Sequence, residues 1–190
     1  MDRKYNWLAL AAGISTLLLI LVSLFVPWWQ LTVGDPAIAN ANLSPVNMNF
    51  GLLGTSLTIP LVWALNIATL LSLAAGAIVM LIYAIKPAKP YSKSLLGFAW
   101  NKPLFAVVLF AIEVVVLTVL PNAFVGFGFP LAGSANVQLP QSIAEGANIS
   151  VGVSTGFMWP FLFAIIVAGL GVAARIYHRK LAVPPLGQIT

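Results

Sequence analysis

Four long apolar stretches dominate the pattern of this chain. They run over about 7–26, 59–85, 103–120 and 157–177, each with roughly twenty consecutive residues that are almost all apolar. A helix of that length crosses about 30 Å of hydrocarbon, so the pattern predicts four membrane-spanning helices. The second stretch is longer than a perpendicular crossing needs, which predicts tilt or projection beyond the bilayer. Between the spans the pattern changes. Asn148-Ile149-Ser150-Val151-Gly152-Val153-Ser154 places an apolar residue at every second position, the period of a half-buried strand. Leu31-Thr32-Val33, the turn Gly34-Asp35-Pro36 and Asn47-Met48-Asn49-Phe50 add strand-like segments to the first long loop. The loops 27–58 and 121–156 are therefore expected to build a small sheet together, and 86–102 to be a plain connecting loop.

The basic residues sharpen this into a topology. Arg3 and Lys4 form one cluster, Lys86, Lys89, Lys93 and Lys102 a second, and Arg175, Arg179 and Lys180 a third; together they are all 9 Lys and Arg of the chain. Loops rich in Lys and Arg stay cytoplasmic. The expected fold is an all-α membrane protein, a four-helix bundle forming one integral membrane domain over 1–190. Both termini and the middle loop lie in the cytoplasm of a multi-pass cell-membrane protein, with a β-rich extracellular cap. The apolar run after Arg3 and Lys4 ends in Pro27-Trp28-Trp29 without a small-x-small cleavage pattern, so it reads as an uncleaved first helix. All six tryptophans fall near span boundaries. Trp7, Trp28, Trp29, Trp63, Trp100 and Trp159 are thus expected to anchor the helices at headgroup level.

Composition narrows the function classes. The chain of 190 residues is 61% hydrophobic and 7% charged, against the quarter or so expected of a soluble domain. The net charge of +5 is explained by the topology, so nucleic acid is not an expected partner. There is no cysteine, which removes disulfides, iron–sulfur ligation and thiol nucleophiles. His178 is the only histidine, too few for bis-histidine haem, and reads as a polar residue at the membrane surface. No phosphate-binding glycine loop, carboxylate pair or Ser–His–Asp set is present. No cofactor, metal site, soluble substrate or catalytic residue is expected, and the chain does not read as an enzyme.

Glu113 is the one acid within a span, about 12 Å below the nearer end of its helix. Asn66 lies at a similar depth on the second helix, with Thr69 one turn deeper on the same face. A carboxylate there must be protonated, paired or wetted. The reading favoured by its isolation is a neutral Glu113 contacting Asn66, Thr69 or a neighbouring subunit. The alternative is a proton relay or ion site. Ser72 and Gly76, Ala164 and Ala168, and Gly169 and Ala173 supply small-residue faces for helix packing. The sequons Asn42-Leu43-Ser44 and Asn148-Ile149-Ser150 mark two N-glycosylation candidates. Asn42 is the better one, since Asn148 falls in a predicted strand. The prolines near the starts of the second and fourth helices, Pro60 and Pro160, also suggest two out-and-back halves of shared orientation.

Four helices, cytoplasmic termini and Trp28-Trp29 in a long first outer loop resemble the claudin-type topology. The resemblance is one of topology only, because the cysteine pair of the claudin loop is absent, and no claudin function is carried over. The cysteine-free, isoleucine- and leucine-rich style is similar to small accessory subunits of archaeal respiratory complexes. The expected role is a non-catalytic accessory or structural subunit of a larger membrane complex, in contact with lipids and other integral membrane subunits. A small transporter using Glu113 and a surface adhesion protein are the alternatives.

Overall fold

In a computed structural model, residues 5–87, 89–125, 128–138 and 150–181 are described. Among these residues four helices are long and apolar enough to cross a membrane. They are α1 (Trp7–Phe25), α2 (Pro60–Ile85), α4 (Lys102–Val125) and α5 (Trp159–Leu181). The middle loop is more ordered than its sequence suggests, because Ser92–Ala99 forms a short helix, α3. Its Ser92, Leu96 and Ala99 are buried, while Lys93 and Phe98 are exposed. Eight residues are too few for a hydropathy window to separate from the spans on either side.

The chain is not all-α. The loops after α1 and α4 fold into one antiparallel sheet of six strands, in the order β4-β3-β2-β1-β6-β5. The strands are β1 (Trp29–Val33), β2 (Ala39–Ser44), β3 (Asn47–Leu52), β4 (Thr55–Leu57), β5 (Gly133–Gln138) and β6 (Ser150–Phe157). The two loops are joined by β1 and β6, in a register running from Trp29↔Phe157 to Val33↔Val153. Among the described residues the first loop contributes four strands and the second two.

Two compact units are distinguished. One comprises 1–22, 68–107 and 162–190 and the other 23–67 and 108–161. The described residues of the first are helical apart from residues 5–6 and the connections around α3. Its core is Ala9, Ala12, Met80, Tyr83, Ala84, Leu96, Ala99 and Ala174, with Leu8, Val79 and Leu170 against it. Small residues set this packing. A methyl group at Gly13 would lie 2.7 Å from the Leu81 side chain, and one at Gly171 2.6 Å from the Trp100 carbonyl oxygen. Gly169, in contrast, faces open space. Close approach thus falls at Gly13 and Gly171. Gly76 contributes by making room for the Lys102 side chain.

The second unit holds the sheet and the helical segments adjoining it. Strand alternation sorts the side chains onto two faces. One face carries Trp29, Leu31, Ala41, Leu43, Met48, Phe50, Val153 and Phe157, and of these Trp29, Ala41, Leu43 and Val153 are buried. The other carries Gln30, Thr32, Asn40, Asn42, Asn49, Asn136 and Ser154. None of the six strands contains a charged residue. At the β3–β4 connection, Leu53 and Gly54 both have positive φ, 50° and 77°, which suits a two-residue hairpin turn. Pro121 falls inside α4, which continues to Val125 rather than ending near 120. Pro121 removes the helical hydrogen bond to the Leu117 carbonyl, and in the turn before it the Thr118 hydroxyl donates to the Val115 carbonyl at 3.0 Å.

Candidate functional site

The residues singled out by sequence occupy three kinds of place. Trp7, Trp63 and Trp159 are exposed, at 67%, 63% and 57%. Trp100 is half-buried beneath the Arg175 guanidinium, 4.7 Å from its ring centroid. Trp28 and Trp29 depart from the anchor expectation, since both are buried. Trp28 donates its indole N–H to the Ser23 hydroxyl at 2.7 Å and meets Phe110 edge-on at 5.1 Å and Phe161 at 6.1 Å. Its backbone carries on the strand ladder, donating to the Leu43 carbonyl and accepting from Met158. Trp29 donates its indole N–H to the Leu131 carbonyl at 2.9 Å. A tryptophan pair following a membrane span has the same composition whether it anchors or packs; strand register turns Trp29 onto the apolar face, and packing against Phe110 and Phe161 holds Trp28 inside.

Glu113 is half-buried on α4. It flanks the stripe formed by the buried Ala106, Phe110, Val114 and Thr118, while Leu109, Ile112 and Val116 are exposed. Asn66 on α2 is 7% exposed, and its Oδ1 has no hydrogen-bond partner among the described residues. Thr69, further along α2, is half-buried. No hydrogen bond joins Glu113 to Asn66 or Thr69, and Glu113 has neither a hydrogen-bond nor an ion-pair partner among the described residues. A carboxyl group in hydrocarbon without a partner is costly in either protonation state, and the described residues supply none.

Asn148 lies outside the described residues. Asn42 sits in β2, an internal strand, paired with Gln30 on one side and Asn49 on the other. It is half-buried and lines a cavity of about 220 Å³. The order expected of Asn148 is therefore the order observed for Asn42. A second, wider concavity of about 750 Å³ lies over β1, β5 and β6, bordered by Thr32, Asp35, Asn136 and Ser154.

His178 is more constrained than its place in the sequence suggests. Its Nδ1 lies 2.9 Å from the Tyr83 hydroxyl, which in turn accepts a hydrogen bond from Asn6 Nδ2 at 2.9 Å. Assigning the Tyr83 proton to His178 Nδ1 places the proton of a neutral imidazole on Nε2. Asn6 also caps α1, its Oδ1 accepting from the Ala9 N–H at 3.0 Å, and donates to the Ala174 carbonyl at 3.3 Å. The chain Asn6–Tyr83–His178 thus ties the start of α1 to α2 and α5. Residues 77 and 95 positions apart meet here, which periodicity cannot reveal. Among the described residues no three His, Asp or Glu side chains come together.

No protein-family model matches the chain, and no curated protein sequence matches it.

Proposed function

We propose that this chain is a non-catalytic subunit of a larger integral-membrane complex. In this reading its termini and α3 lie in the cytoplasm and its sheet outside the cell membrane. The observation that carries the reading is Glu113. It lies at membrane depth, at the border of the exposed face of α4, without a partner in the described chain. A neighbouring helix that supplies a hydrogen-bonding group satisfies it at low cost. The exposure of the spans supports the same reading, because only 28–39% of each is buried within the chain, leaving broad apolar faces for lipid and partner helices. The charge partition supports the orientation. The respiratory form of the proposal rests on similarity of style to archaeal accessory subunits, and its expected partners are redox subunits.

A proton relay needs titratable groups in series, whereas Glu113 is the only acid in the spans, so a conducting role is the weaker reading. Tagged chain is purified in mild detergent and the co-purifying proteins are identified by mass spectrometry. The proposal expects stoichiometric integral-membrane partners, retained by Glu113→Gln, which still hydrogen bonds, and lost with Glu113→Leu. A pure homo-oligomer from the wild-type chain contradicts it. Intact assembly of Glu113→Gln with loss of proton flux in liposomes transfers the assignment to the relay.

A further inference from the structure

We propose that the cavity beside the end of α1 holds the headgroup of a neutral glycolipid. The cavity encloses about 220 Å³ between Ser23, Phe25 and Gln30 and three asparagines, Asn42, Asn47 and Asn49. That is an order of magnitude more than a single water needs, and about the scale of one small ligand.

The lining selects the chemistry. It contains four carboxamides and a hydroxyl but no charged group. An ionic headgroup would enter without a counter-charge, at a desolvation cost that amides offset poorly. Carboxamides both donate and accept, as each sugar hydroxyl does. Gln30, Asn42 and Asn49 stand in one row across β1, β2 and β3, with successive strands about 4.8 Å apart. Part of this set is already committed. Asn47 donates to the Leu24 carbonyl at 2.8 Å and accepts from Asn49 Nδ2 at 3.1 Å. The amides of Gln30 and Asn42 have no hydrogen-bond partner among the described residues, which leaves their donors and acceptors for a ligand.

The position selects the lipid form of that chemistry. Phe25 is the last residue of a membrane-spanning helix and is 80% exposed at the cavity wall, with Leu24 38% exposed beside it. A pyranose has an apolar C–H face and a rim of hydroxyls, which matches an aromatic ring next to a row of amides. A ligand at the end of the span sits at headgroup depth, and its acyl chains run along the exposed apolar surface of α1.

The test uses full-length chain in phosphatidylcholine nanodiscs, with or without a monohexosyl diacylglycerol. Bound lipid is read by native mass spectrometry and stability by the thermal midpoint. The expected result is enrichment of the hexosyl lipid over phosphatidylcholine by about tenfold or more, with a raised midpoint. Both effects disappear in Asn42→Ala and Gln30→Ala and persist in Asn136→Ala, an amide on the same sheet face outside the cavity. Gln30→Ala decides the matter if Asn42→Ala fails to fold. Equal retention of the two lipids, or enrichment that survives both cavity variants, overturns the proposal. Equal stabilisation by a free methyl hexoside overturns the lipid assignment. An intact mass showing a covalent glycan on Asn42 overturns it as well, because that glycan would occupy the cavity.

Discussion

Trp28 is one of the largest fully buried side chains, with 0% of its surface exposed. Its indole joins the Ser23 hydroxyl, Phe110 and Phe161, and its backbone spans the ladder between Leu43 and Met158. Trp28→Phe keeps most of the ring contact but leaves the Ser23 hydroxyl without its donor, an expected loss of about 1 kcal/mol. Trp28→Ala also opens a cavity, with an expected loss of about 3–5 kcal/mol. Thermal midpoints of the two variants in one detergent check the order. Leu53 presents the opposite case. Its φ of 50° is unfavourable for a branched side chain, and the side chain is 74% exposed, so little packing offsets the strain. Leu53→Asn relieves it and is expected to raise stability by about 1 kcal/mol, read in the same assay. These two residues mark the limits of legibility. Both tryptophans at 28 and 29 read as anchors from their neighbours in sequence, whereas strand register buries Trp29 and packing against Phe110 and Phe161 buries Trp28.

At the scale of elements, the small residues of the helices divide by what they meet. A Cβ at Gly171 would lie 2.6 Å from a backbone carbonyl of Trp100, which cannot move aside without shifting the α3–α4 connection. One at Gly169 meets nothing within 4 Å. Gly171→Ala is therefore expected to lower stability by about 1–3 kcal/mol, while Gly169→Ala leaves it within about 0.5 kcal/mol. The comparison of their thermal midpoints isolates packing from helix propensity, since the substitution and the helix are the same. Spacing along α5 suggested Gly169 as a packing position and passed over Gly171, because spacing defines a face and not the element opposite. The same limit explains the buried chain Asn6–Tyr83–His178, whose members are dispersed over three helices.

For the whole molecule, orientation is the quantity to measure. The chain has no cysteine, so it serves as its own background for single-cysteine labelling. Asp35→Cys in the β1–β2 turn and Lys93→Cys on α3 are both at exposed positions. With an impermeant maleimide on intact cells, Asp35→Cys is expected to label and Lys93→Cys to label only after permeabilisation. The reverse pattern inverts the topology and with it the assignment of the sheet to the outside.

The four spans were determined by sequence alone, because hydropathy over twenty residues is a local sum that no distant contact changes. The alternation in 150–154 was legible for the same reason, since side chains on a strand take opposite faces whatever the strand pairs with. Tertiary structure alone decided what those elements meet. It joined the two loops through β1 and β6, whose paired residues lie more than a hundred positions apart, turned Trp28 and Trp29 inward and left Glu113 without a partner among the described residues. It also set Gln30, Asn42 and Asn49 in one row. Each of these depends on register or on the identity of a packing neighbour, and a chain read in order carries neither.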